Sequence, residues 1–190
     1  MTLQLARRAI EAAHAAFPGW SGLGVHQRAE IMAKAVTAMK ARTEEIAAIL
    51  NEENGKTLNE ARTEVGSAVR EMEFQISQGL AMSGETVPSA MPDVFAYSVR
   101  RPLGVAAIIS PWNFPFNVPG RKCTPALISG NTIVFKPATL TPKAGRAFLD
   151  LFIEAGLPPG VLNFVTGGGS TVGEEMITNP LVEAISFPGA

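Results

Sequence analysis

Several short stretches of this chain carry groups that could do chemistry. In Ser110-Pro111-Trp112-Asn113-Phe114-Pro115, one side-chain amide is held between prolines and aromatics. An amide fixed in this way can donate to a developing oxyanion, an effect worth about 3 kcal/mol where it operates. It can equally form an Asx turn that caps the next helix, and the residues alone favour the cap. In Lys136-Pro137-Ala138-Thr139, a lysine can hydrogen-bond ribose hydroxyls or offset a phosphate charge; it can also be a surface lysine with its ammonium in water. Gly167-Gly168-Gly169-Ser170-Thr171-Val172-Gly173 is spaced GxGxxxG, and Gly169 and Gly173 would let backbone approach an anion ahead of a helix. It follows the third strand rather than the first, so a plain strand-to-helix turn fits it as well as a dinucleotide fingerprint does.

Nucleophiles and bases are scarce. Cys123 is the only cysteine and lies where a helix is expected, as a small buried hydrophobe would. His14 and His26 have no metal-type spacing to it or to each other. A complete enzyme built on Cys123 is therefore a remote reading, and no Ser–His–Asp set is suggested.

The elements that must position these stretches form a strand–helix alternation. Val105-Ala106-Ala107-Ile108-Ile109 is an apolar run of the kind found in strands buried on both faces. Thr132–Phe135, Val161–Val165 and Ala184–Phe187 repeat it, with helical stretches between. The clearest helix runs from Pro142 to Glu154, with Thr141 as N-cap, Pro142 in the first turn, and Gly156 and Pro158 as the stop. This repetition predicts an α/β fold with a parallel sheet and right-handed crossovers, whose ligands sit at the strands' carboxyl ends. The first eighty residues read as helices. Ile31, Ala35, Ala38, Met39, Ile46, Ile49 and Leu50 recur at helical spacing with a break near Arg42 and Thr43, and Val65, Val69, Met72 and Ile76 share one face. Asn54-Gly55 reads as a helix end. The organisation expected is a helical part over 1–82, a loop-and-strand arm over 83–102 and an incomplete dinucleotide-binding core over 103–190.

Composition narrows the rest. In 190 residues, 46% are hydrophobic, 17% are charged and the net charge is −1, which gives no electrostatic case for nucleic acid or an anionic membrane. The apolar runs are strand-length, the start lacks a secretory pattern, and a lone cysteine gives no sign of an oxidising compartment. A cytoplasmic location is expected. A fourth strand ending in Phe187-Pro188-Gly189-Ala190, with no helix after it, would leave the sheet short of one cover.

Taken together, these stretches resemble the aldehyde dehydrogenase superfamily over essentially the whole chain. The likeness rests on the order and spacing of Glu53-Asn54-Gly55-Lys56-Thr57, Glu60-Ala61-Arg62, Arg101-Pro102-Leu103-Gly104-Val105 and Ser110 to Pro115. It continues through Pro125-Ala126-Leu127, Gly130-Asn131-Thr132, Lys136-Pro137-Ala138, Thr141-Pro142 and Glu154 to Val161. The resemblance implies oxidation of an aldehyde to an acid with NAD or NADP, through a cysteine thiohemiacetal, in a homo-oligomer assembled partly through the arm. It places Asn113 at the oxyanion-hole asparagine, Ser110 and Trp112 at cofactor-lining positions, and Lys136 at the lysine that binds the adenosine ribose. Thr139 stands where strictly NAD-using members often carry a glutamate, and a threonine there leaves NADP open. Gly84 to Ser89 and Asn179 to Val182 are similar to members that act on carboxylate-bearing semialdehydes.

Family members are much longer, and their nucleophilic cysteine and general-base glutamate would lie beyond residue 190. Phe187-Pro188-Gly189-Ala190 stands where the family reads Phe-Thr-Gly-Ser, a turn that meets the pyrophosphate, so Phe187 and Gly189 are placed at the cofactor. Loss of one base in that turn, a frameshift soon followed by a stop, is the expected origin of this ending. The expectation is thus an N-terminal fragment, weak in cofactor binding and inactive alone; the alternative is a non-catalytic nucleotide-binding or subunit-interaction module.

Overall fold

Helical spacing near the N-terminus produces α1 (Leu3–Gly22), α2 (Val25–Ala41), α3 (Thr43–Asn54) and α4 (Leu58–Leu80) in a computed structural model that describes residues 2–188. The break expected near Arg42 falls between α2 and α3, and α3 ends on Gly55, whose φ of 77° is left-handed. Thr57 and Glu60 form a reciprocal capping box at the start of α4. Val65, Val69, Met72 and Ile76 are all buried on one face of α4, as their spacing predicts.

After α4 the chain forms an antiparallel ribbon of β1 (Thr86–Val87) and β2 (Ala96–Tyr97), short and exposed. The sheet follows: β3 (Val105–Ile109), β4 (Thr132–Lys136), β5 (Leu162–Phe164) and β6 (Val182–Ser186). All pairings are parallel, in the order β5-β4-β3-β6. The last strand begins two residues before, and ends one residue before, its apolar run Ala184–Phe187. As an edge strand it alternates half-buried and exposed positions, so Val182 and Glu183 belong to it although they do not extend the run.

Alternate strand residues serve two cores. Val105, Ala107 and Val134 pack against Ala6, Ile10 and Ala13 of α1, and against Val172 and, in α7 (Glu174–Thr178), Met176. Ala106, Ile108, Ile133 and Phe135 face α5 (Asn117–Ile128) and α6 (Pro142–Glu154), with α2, α3 and α4 outside them. Phe148 meets Phe116 and Phe135 edge-on, with ring centroids 5.8 and 6.1 Å away.

Helices α5 and α6 take their caps from α2, α3 and α4 and, at one point, from α1. Glu64 of α4 accepts the backbone N–H groups of Phe116 (2.9 Å) and Asn117 (3.0 Å) at the start of α5. At its other end, Trp20 donates to Leu127 O (3.1 Å) and buried Arg28 to Ile128 O (3.0 Å). A carboxylate at the N-terminus and a guanidinium at the C-terminus both complement the helix dipole. Helix α6 spans the expected residues, but Thr141 does not cap it: its hydroxyl is buried without a partner. Glu53 caps it instead, accepting from Lys143 N (2.6 Å) and Ala144 N (2.8 Å). A distant glutamate reaches those amides with two oxygens, which local sequence does not reveal. Gly79 lets α4 and α5 approach, since a Cβ there would lie 2.2 Å from Ile128 Cγ1.

Candidate functional site

The strand order reverses direction between β3, which is first in the sheet by sequence, and β6, which is fourth. Open parallel sheets bind ligands in the crevice outside the carboxyl ends at such a switch. Two sequence-predicted residues meet beside it. The register pairs Ile109 with Lys136, and the Ser110 N–H donates to the Lys136 carbonyl at 3.0 Å. Ser110 is buried, and its Oγ has no hydrogen-bond partner.

Lys136 is 6% exposed, so the surface-lysine alternative is overturned. Its Nζ donates to the Pro137 carbonyl at 3.3 Å and has no carboxylate partner among the described residues. Burial lowers its pKa. A buried ammonium with one carbonyl and a buried hydroxyl with no partner thus stand on adjacent strand ends, each with unmet bonding capacity. Ribose hydroxyls or a phosphate would satisfy both. Thr139 is exposed in the turn that leaves β4, three residues beyond Lys136.

Asn113 is exposed, and its side-chain amide has no hydrogen bond within the described residues. It does not cap α5; Glu64 does. The amide is left free to donate to an incoming oxygen. Trp112 and Phe114, 56% and 48% exposed, flank it. Beside the turn, Phe114, Asn117, Thr63 and Lys56 line a pocket of about 400 Å³, in which the buried Asn117 Oδ1 is also without a partner. Asn117 carries no signal in the sequence beyond its place four residues after Asn113, at the first position of α5.

The remaining predicted positions are less gathered. Gly169 to Gly173 form a π-helical turn leading into the five-residue α7. A Cβ on Gly169 would meet nothing, and one on Gly173 only the Gly168 carbonyl at 3.8 Å, so the fold itself requires glycine at neither. They follow β5, at the opposite edge of the sheet from β6. Phe187 follows β6 and is 62% exposed, while Gly189 lies outside the described residues.

Cys123 is fully buried in α5, and burial pushes its thiol far up, so it offers no thiolate. We expect a thiol reagent to leave the native chain unmodified and to label it only with unfolding. Labelling at the rate of a free thiol would restore Cys123 as a candidate nucleophile. No group of His, Cys, Asp and Glu able to hold a metal occurs among the described residues, and none of their helices is long and apolar enough to cross a membrane.

The ribbon carries exposed Val87, Met91, Phe95 and Tyr97, with Phe95 75% exposed and its ring 5.6 Å from that of Tyr97. A lone two-stranded ribbon is marginal in water.

Comparison with known proteins gives one answer along the whole chain. The profile described as "Aldehyde dehydrogenase family" matches residues 1–190. An alpha-ketoglutaric semialdehyde dehydrogenase of Bacillus subtilis is 40% identical over 189 residues, which cover 100% of this chain and 39% of that protein. A succinate-semialdehyde dehydrogenase [NADP(+)] of Escherichia coli is 40% identical over 184 residues, covering 97% and 38%. The crystal structure of a succinate-semialdehyde dehydrogenase from Burkholderia pseudomallei superposes with a TM-score of 0.98 at 38% identity, over 100% of this chain and 39% of that one. The chain thus spans about two-fifths of the length of the relatives it matches.

Proposed function

Because this chain belongs to the aldehyde dehydrogenase family, we propose that it is the N-terminal, cofactor-holding part of an NAD(P)-dependent enzyme that oxidises an aldehyde to a carboxylic acid. The observation that carries this reading is the presence, at adjacent strand ends beside the switch in strand order, of buried Ser110, whose hydroxyl has no partner, and buried Lys136, whose ammonium meets one carbonyl and no carboxylate among the described residues. In it, Lys136 and Ser110 meet the ribose and phosphate side of NAD(P), with Thr139, Trp112 and Phe187 around them. Gly169 and Gly173 are assigned to the cofactor by their spacing, and Gly189 by the family resemblance. The cofactor, when bound, supplies the hydride acceptor. Asn113 donates its amide N–H to the substrate oxygen as charge develops there. The nucleophile and the general base are assigned to residues outside these 190, because Cys123 is sealed in α5.

Thr139 places no carboxylate where a 2′-phosphate would come, which supports NADP or both cofactors. The names of the relatives support a carboxylate-bearing semialdehyde as substrate. The apolar arm over 83–102 supports a homo-oligomer, with the helical part over 1–82 and the core over 103–190 as the other units. The lone cysteine of these 190 residues, which can form no disulfide within them, supports a cytoplasmic location.

The test is calorimetric titration of this chain with NADP+ and NAD+, run beside an assay for aldehyde-dependent NAD(P)H formation. Weak binding of NADP+, no stronger for NAD+, and no turnover are expected. Failure of both nucleotides to bind at millimolar concentration would sink the cofactor reading. Turnover abolished by Cys123→Ala would sink the assignment of the nucleophile elsewhere.

A further inference from the structure

The reading above gives no role to Glu53-Asn54-Gly55-Lys56-Thr57, the end of α3 and its connection to α4. Yet its side chains bond well beyond the connection. Asn54 Nδ2 donates to the Trp112 carbonyl at 2.8 Å. Lys56 Nζ donates to the Asn113 carbonyl at 2.6 Å, pairs with the Glu64 carboxylate, and sits 4.2 Å from the centre of the Phe114 ring. Glu64 uses its other oxygen for the N–H groups of Phe116 and Asn117. The Lys56 carbonyl is itself held, by Asn51 Nδ2 at 2.6 Å.

The backbone from Trp112 to Asn117 is therefore fastened at four points by two side chains of this connection and one of α4. The Glu64 side chain is 1% exposed and that of Lys56 17%, so these charge-assisted bonds work in low dielectric. The Asn113 amide has no such fastening. Its direction is set only by the backbone that carries it, and Lys56 holds that backbone at the Asn113 carbonyl itself.

We propose that Lys56, locked by Glu64, is a positioning residue for Asn113: it fixes the turn so that the exposed amide points in one direction. The chemical meaning rests on the reading of Asn113 as an oxyanion donor. The rival role is a plain staple between α4 and α5, which would stabilise the fold without specifically setting the turn.

Tryptophan placement separates the two. Trp112 is in the turn, and Trp20 is buried against the far end of α5. In the full 190-residue chain labelled with 5-fluorotryptophan, Trp112→Phe assigns the two fluorine lines. Lys56→Met is expected to shift and broaden the Trp112 line and leave the Trp20 line in place, with Lys56→Arg restoring it. The double variant Lys56→Met/Glu64→Gln leaves no lone buried charge and should behave as Lys56→Met does. If the Trp112 line stays put in the folded variants, the proposal is overturned. It is overturned equally if both lines move together, or if the double variant does not fold, since either outcome assigns the pair to general stability. No cofactor or aldehyde is present in this experiment, so its failure is distinct from a failure of the nucleotide titration.

Discussion

Glu64→Ala is expected to lower the unfolding free energy by roughly 3–5 kcal/mol, the range for removing one partner of a buried ion pair. Glu64 lies within the layer between α4 and α5, and its carboxylate has three donors: the Lys56 ammonium and the amides of Phe116 and Asn117. Alanine removes all three bonds. The two amides at the start of α5 lose their acceptor, and each unsatisfied buried donor costs about 1–3 kcal/mol. The ammonium loses its counter-charge where water reaches it poorly. Against a typical domain stability of about 5–15 kcal/mol, such a loss would be a large share of the whole. Glu64→Gln should cost less, because a carbonyl oxygen can still accept from the two amides and only the charge is lost. Urea unfolding followed by far-ultraviolet dichroism measures both. Equal, small effects would mean that the cap and the ion pair contribute little, and that apolar packing of α4 on α5 carries the contact.

The same carboxylate shows where sequence reading stops. Helical and strand elements were legible because burial imposes a period. Val65, Val69, Met72 and Ile76 step at 3.6 residues, and Val105 to Ile109 is apolar throughout because the strand is covered on both faces. The family likeness was legible for a different reason, the order of many short motifs. The motifs' physical roles were not. Asn54-Gly55 reads as a helix end, which it is, yet Asn54 also holds the Trp112 carbonyl 58 residues away. Thr141 has the type and place of an N-cap, and Glu53 takes that role from across the layer boundary. Propensity covers bonds between near neighbours; these partners become neighbours only after the helical layer has docked on the sheet. Lys136 is the reverse case. Its position at a strand end left a surface lysine and a ligand-binding lysine equally open, and its burial removes the first.

That burial makes Lys136→Met a decisive variant, because its effects on stability and on nucleotide binding should have opposite signs. Water removal disfavours the charged ammonium, so the folded-state pKa lies below the ordinary lysine value. The unfolded chain then binds more protons across the interval between the two, and stability rises with pH through it. Below the lowered pKa both states carry the proton, and the desolvation penalty is present in full. Methionine has similar length and no charge, so the variant should be more stable than the parent chain at neutral pH. The gap should shrink as pH rises from the lowered value towards the ordinary one near 10.4. Nucleotide affinity should move the other way. A hydrogen bond from a charged donor is worth about 1.5–3 kcal/mol, or roughly tenfold to 150-fold in the dissociation constant. Thermal melting across pH 7–10 and calorimetric titration measure the two effects. A variant that gains stability and loses affinity identifies a lysine kept at a cost to the fold for what it binds. One that loses stability and keeps its affinity would make Lys136 part of the scaffold, its bond to the Pro137 carbonyl sufficient reason for its place.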